Sequence, residues 1–170
     1  MPSLPVITDR VESLQHIIGY TFNDPKHAME ALVAPGNYIP GFINRMSGNK
    51  DLAQLGESVL KMTLILDGYE AGKSRGNSEL LRITTTCLPS TSESIDQEIK
   101  ANSKNHLTAV GFNLGLDAFV IVNPAQGRVV STGVMAETIQ ALIGAVFIDS
   151  GHSVETVRSL VAKLGLGWPA

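Results

Sequence analysis

Two stretches decide how this chain of 170 residues is read: Asn49 to Leu60, NKDLAQLGESVL, and Val134 to Gly144, VMAETIQALIG. From about Lys50 to Ala71, Leu52, Leu55, Val59, Leu60, Met62, Leu64 and Ile65 are apolar on most sides. That pattern predicts a helix buried on nearly every face and central to the fold. Val134 to Phe147 reads as a second strongly apolar helix, ended by Asp149, Ser150 and Gly151. Both runs contain acids. A carboxylate inside an apolar helix is costly unless it is paired, hydrogen-bonded or bound to a cation, so Glu57 and Glu137 either have partners or reach solvent.

Outward from these helices, the chain is read as helical almost throughout, with no internal repeat. Val11, Leu14, Ile17 and Ile18 recur at helical spacing over 9–18, with Asp9 as the expected cap and Gly19 as the stop. Asn23-Asp24-Pro25 opens a helix to about Val33, since Asp24 can cap and Pro25 suits a first turn. Residues 36–48 are rich in Gly, Pro and Asn and read as a loop. A helix is expected from Asn77 or Ser78 towards Cys87, stopped by Pro89. The Ser-rich stretch 89–105 reads as a loop or a short exposed helix around Ile95 to Ala101. Residues 105–115 form an expected short helix ending at Gly115, and 119–122, FVIV, read as a strand or the lead-in to a turn at Asn123-Pro124. Val154 to Leu164 is amphipathic and closes the series.

Composition bounds the function. Hydrophobic residues are 44% and charged residues 17% of the chain, which supports one domain over 1–170 with a core over about 9–165. The formal charge of -3 has the wrong sign for holding a polyanion by bulk electrostatics, so any such contact must be local. Arg45, Lys50, Lys61, Lys73, Arg75 and Arg82 either gather into one positive patch or are scattered solvated charges. With Cys87 as the single cysteine, an intrachain disulfide and a Cys-based zinc site are excluded. His16, His27, His106 and His152 lack metal-ligand spacing and are read as surface or capping residues, and Gly165-Leu166-Gly167 follows no strand, so a dinucleotide loop is not supported. The start, MPSLPVITDRVESLQ, has neither signal-peptide nor transit-peptide character, and no run approaches 18 apolar residues. The expectation is a soluble, intracellular protein with no membrane partner.

The two opening stretches resemble the signature of the ribonuclease III family. There, a helix reading N-E-R-L-E-F-L-G-D, then Ala or Ser, then V-L, faces a later helix reading A-D-x-F-E-A-L-I-G-A. Ile18-Gly19-Tyr20-Thr21-Phe22 is similar to the family's L-G-Y-x-F, and Glu30-Ala31-Leu32-Val33-Ala34-Pro35-Gly36 to E-A-L-T-H-P-S. Gly76 to Arg82 is similar to G-x-L-x-R, Leu107 to Leu116 to L-A-x-x-x-G-L, and Ile148-Asp149-Ser150-Gly151 completes the order. An insertion within about 89–102 separates the last blocks.

The resemblance implies an all-α ribonuclease III endonuclease-domain fold that forms a homodimer. It also implies a site for Mg2+ (or Mn2+) that hydrolyses phosphodiesters in double-stranded RNA. Mapped residue by residue, the family's four acids fall on Ala53, Glu57, Glu137 and Gln140. Positions 53 and 57 are i,i+4 and positions 137 and 140 are i,i+3, so the four side chains can converge on one pocket. Two carboxylates of four remain, both Glu in place of the family's Asp, and Gln140 offers only a neutral amide oxygen. One metal ion shared by Glu57 and Glu137 is one expectation, and an empty, degenerate catalytic site is the other. Asp51 lies about 200° around a helix from Ala53, so it replaces the lost ligand only after a local rearrangement.

The family's aromatic dimer anchor falls on Gln54. Lys50, Lys73, Arg75, Asn77 and Arg82 are the expected contacts to structured or double-stranded RNA. The sequence as given ends at Ala170, soon after the last helix, so RNA affinity is expected to rest on this domain. Two functions follow from the resemblance. One is an RNA-binding domain with lost or strongly altered cleavage, possible as a component of a larger RNA-processing or ribosomal assembly. The other is an atypical endoribonuclease acting through Glu57 and Glu137.

Overall fold

Pro25 begins the second helix because its missing N–H costs nothing in a first turn, and the Asp24 side chain accepts from the Lys26 backbone N–H at 3.0 Å. The computed structural model describes residues 4–37, 46–70, 104–123, 127 and 129–166. Their helices are α1 (Leu4–Ile18), α2 (Pro25–Leu32), α3 (Lys50–Glu70), α4 (104–113), α5 (Thr132–Asp149) and α6 (Val154–Lys163), with a 3-10 turn at Leu116–Ala118. The expected helix near 77–87, the Ser-rich insertion, and Arg45, Lys73, Arg75, Asn77, Arg82 and Cys87 lie outside the described residues.

The all-α expectation holds, with three local corrections. First, α1 starts at Leu4, with Pro5 accommodated in its first turn, so Asp9 is an exposed mid-helix residue and not a cap. Second, FVIV is not a strand. The N–H of Phe119 turns back to the Leu116 carbonyl at 2.9 Å, leaving a lone parallel bridge between Val33 and Ile121. Third, α5, not α3, is the central helix. Among the described side chains of α3, Leu52, Ala53, Gly56, Val59 and Thr63 form the buried stripe, while Gln54, Glu57, Ser58, Met62 and Leu66 face solvent. Every residue from Ala141 to Val146 in α5 is buried, and α2, α3 and α6 all pack on it.

Apolar burial is the main source of stability, worth about 1.5 to 3 kcal/mol for each large core side chain. Leu14 and Ile18 of α1, Met29 and Leu32 of α2, and Val157 of α6 complete the core around Ile139, Leu142 and Ile143. Ser131 and Ser153 cap α5 and α6 by accepting from the backbone N–H of Val134 and Thr156. With 18 residues and a mean hydropathy of 1.3, α5 is long and apolar enough to cross a membrane, but its apolar sides are taken up by neighbouring helices.

Candidate functional site

Small residues bring α3 and α5 into backbone contact. A Cβ on Gly56 would collide with the Gln140 carbonyl oxygen, and one on Gly144 with that of Leu52. The two helices therefore touch through their main chains at Gly56 and Gly144, closer than side chains would allow. Positions one turn either side of that crossing are forced together. A cleft of about 260 Å³ results, lined by Lys50, Ala53, Gln54, Glu57, Glu137 and Gln140.

All four positions singled out by the motif thus share one cleft, joined by Lys50 and Gln54. The start of α3 is set by Asn49, which is 1% exposed. Its Nδ2 donates to the Ala31 carbonyl at 2.9 Å and its backbone N–H to that of Val33 at 2.9 Å, tying α3 to the end of α2. The far end of α3 is pinned to α6 by Arg158, whose Nε donates to Asp67 at 2.6 Å and whose Nη2 donates to Glu70 at 3.1 Å.

Of the two readings of Glu57 and Glu137, partnered or reaching solvent, the second holds among the described residues. Glu57 is exposed and Glu137 half-buried, and among the described residues neither takes part in a hydrogen bond or ion pair. Water solvates them, which removes the burial penalty.

The donor set does not fit Mg2+ held by the protein in the usual way. The cleft is lined by two residues with carboxylates and two with amide oxygens, Lys50 brings a positive charge to it, and Ala53 contributes only a methyl group. Among the described residues, no group of three or more His, Cys, Asp or Glu stands together so as to hold a metal ion. Magnesium requires oxygen ligands in a tight octahedron at about 2.0 to 2.1 Å, and two glutamates in a cleft that a lysine also lines are a poor match.

A second polar cluster was not legible in the sequence beyond its role as a helix end. The Asp149 side chain, 1% exposed, accepts from the backbone N–H of Asn23 at 2.7 Å and of Asp24 at 2.9 Å. It also accepts from Tyr20 Oη at 2.8 Å, from Asn23 Nδ2 at 3.2 Å and from His27 Nδ1 at 3.0 Å. Burial alone would push its carboxyl group up. The donors from Asp24, Asn23, His27 and Tyr20 outweigh burial and hold it at about 2. Burial and the adjacent Asp149 push the Tyr20 hydroxyl well above its ordinary value. His27, read from sequence as a surface or capping residue, is thus half-buried against an acid.

No protein-family profile matches the chain. It is 26% identical over 157 residues to ribonuclease 3 of Carboxydothermus hydrogenoformans, an alignment covering 89% of this chain and 59% of that protein. It is 25% identical over 161 residues to ribonuclease 3 of Oleidesulfovibrio alaskensis, covering 93% of this chain and 63% of that protein. The chain thus spans about 60% of the length of these curated relatives. Two structures of the ribonuclease III nuclease domain of Campylobacter jejuni share its fold with TM-scores of 0.65 and 0.64, at 17% and 16% identity. They cover 91% and 90% of this chain and 94% and 91% of their own, and the first is described for flexibility in the region that forms its dimer. Fold and sequence together make the chain a relative of ribonuclease III with the fold of that enzyme's nuclease domain.

Proposed function

We propose that this domain binds structured or double-stranded RNA and has lost, or strongly altered, the cleavage associated with its fold. The observation that carries the reading is the cleft at the α3–α5 crossing, where Ala53 and Gln140 stand beside Glu57 and Glu137. The frame of a catalytic site is kept while half of its charge is absent. Lys50, which lines the cleft, is a proposed RNA contact, and so are Lys73, Arg75, Asn77 and Arg82 on sequence grounds.

A homodimer through the exposed face of α3 belongs to this reading, supported by the solvent-facing Met62 and Leu66 on that helix. The exposed Gln54 provides no aromatic anchor there. Membership of a larger RNA-processing or ribosomal assembly fits a binding domain better than a free enzyme.

The test incubates purified protein with long double-stranded RNA in Mg2+, in Mn2+ and in EDTA, beside Glu57→Ala and Glu137→Ala. Retention of RNA in EDTA without metal-dependent products is expected, with affinity falling as salt rises. Products that require metal and vanish in both variants would establish instead an atypical endoribonuclease acting through Glu57 and Glu137. A monomer by light scattering at micromolar concentration would remove the dimer.

A further inference from the structure

The cleft at the α3–α5 crossing carries a feature that the loss of two acids does not explain. Lys50 lines it together with Glu57 and Glu137, so one positively charged side chain shares the cleft with two negatively charged ones without pairing with either. Lys50 is also the first residue of α3, a helix of 21 residues. The aligned peptide dipoles of such a helix place about half a positive charge at its N-terminus, on the same side as the ammonium. Asn49 and the α2 end fix that N-terminus in place through two hydrogen bonds of 2.9 Å, so the fold holds the first turn of α3, from which the Lys50 side chain springs, at the cleft.

We propose that Lys50 is the resident cation of this cleft, taking the electrostatic place of a divalent metal ion and excluding one. The proposal rests on the same cleft as the proposed function, but it concerns metal uptake and is read with no RNA present. Failure to retain RNA and unexpected uptake of metal are therefore separate results. An ammonium repels an incoming divalent cation with twice the force it exerts on a monovalent one, and the α3 dipole adds to that repulsion. The α3–α5 crossing itself rests on main-chain contact at Gly56 and Gly144, with no ion needed to hold the helices together.

Mn2+ is the probe, because its paramagnetism broadens the NMR signals of nearby amides even when binding is only millimolar. The wild type is expected to show no selective broadening around residues 53–57 and 137–140. Lys50→Gln, a change at an exposed position, should bring selective broadening there. Gln140→Glu restores a third carboxylate, and adding Lys50→Gln to it should tighten Mn2+ binding by about tenfold over Gln140→Glu alone. Selective broadening in the wild type equal to that of Lys50→Gln overturns the proposal. So does an unchanged Mn2+ affinity when Lys50→Gln is added to Gln140→Glu. If Gln140→Glu does not fold by circular dichroism, Lys50→Gln decides alone, and absence of cleft broadening in it overturns the proposal.

Discussion

α5 carries two acids at its opposite ends that live in opposite surroundings. Asp149, at the C-terminal end, is almost fully buried and its two oxygens accept from Tyr20, Asn23, Asp24 and His27. Glu137, near the N-terminal end, is half-buried beside the exposed Glu57, and neither has a partner among the described residues. The contrast separates acids whose acceptor capacity the fold consumes from acids whose capacity is left over for something outside it. Asp149 joins the turn before α2 to the end of α5, whereas the Glu57 and Glu137 pair is open to ligand.

Removing the saturated acid should be the largest effect. Asp149→Ala leaves two backbone N–H groups, a phenol hydroxyl and an imidazole without their acceptor in a buried place. It should cost about 3 to 5 kcal/mol in urea unfolding. Asp149→Asn, which keeps one acceptor oxygen, should lie between that value and the wild type. A loss under about 1 kcal/mol for the alanine variant would mean that the donors find water, and the contrast between the two regions would dissolve.

Next in size is the crossing that creates the open cleft. Gly56→Ala sets a methyl group against the Gln140 carbonyl, a main-chain atom that cannot swing aside. About 3 kcal/mol of destabilisation is expected, together with weaker RNA retention by the fraction that stays folded, since α3 must move away from α5. An unchanged urea midpoint would show that the helices have room to spare.

Most of the fold was legible because it is written in local rules. Asp24-Pro25 set the start of α2, and apolar periodicity found α3, α5 and α6 to within a few residues. The start of α1 was misplaced because Asp9 has the chemistry of a cap but sits within a helix that Pro5 does not interrupt. The α3 side facing solvent was misread because Met62 and Leu66 are apolar, and composition alone does not say which apolar residues find a neighbour. At the site, the resemblance to the ribonuclease III signature pointed to positions 53, 57, 137 and 140, and the i,i+4 and i,i+3 spacing let each pair share a helix face. The inclusion of Lys50 and Gln54 needed the actual crossing at Gly56 and Gly144. The Asp149 cluster depends on contacts more than 120 residues apart along the chain, which no local pattern encodes.

Acid sharpens the comparison further. Asp149 is held at about 2, below its ordinary 3.8, so the folded state favours the charged form. Its contribution is present in full above the unfolded value and is lost as pH falls from about 5 towards about 2. The difference in pKa amounts to about 2 kcal/mol over that window. Urea midpoints measured across it should fall more steeply for the wild type than for Asp149→Asn, which has no proton to take up there. Parallel curves would locate the acid sensitivity elsewhere.

The smallest effects should come from the open acids, and their smallness is what gives the contrast its functional meaning. Glu57→Gln and Glu137→Gln keep shape and hydrogen-bonding capacity while removing charge from groups that water already solvates. Each should change stability by less than about 0.5 kcal/mol, as is usual for surface changes away from caps, cores and ion-pair networks. Either variant should hold RNA at least as tightly as the wild type at low salt, because one fewer negative charge lines the cleft that would face the phosphates. A loss of about 2 kcal/mol or more in either variant would mean that the carboxylate is structurally engaged in solution. Glu57 or Glu137 would then join Asp149 among the acids consumed by folding, and the cleft would lose its claim to be the place where this domain meets its ligand.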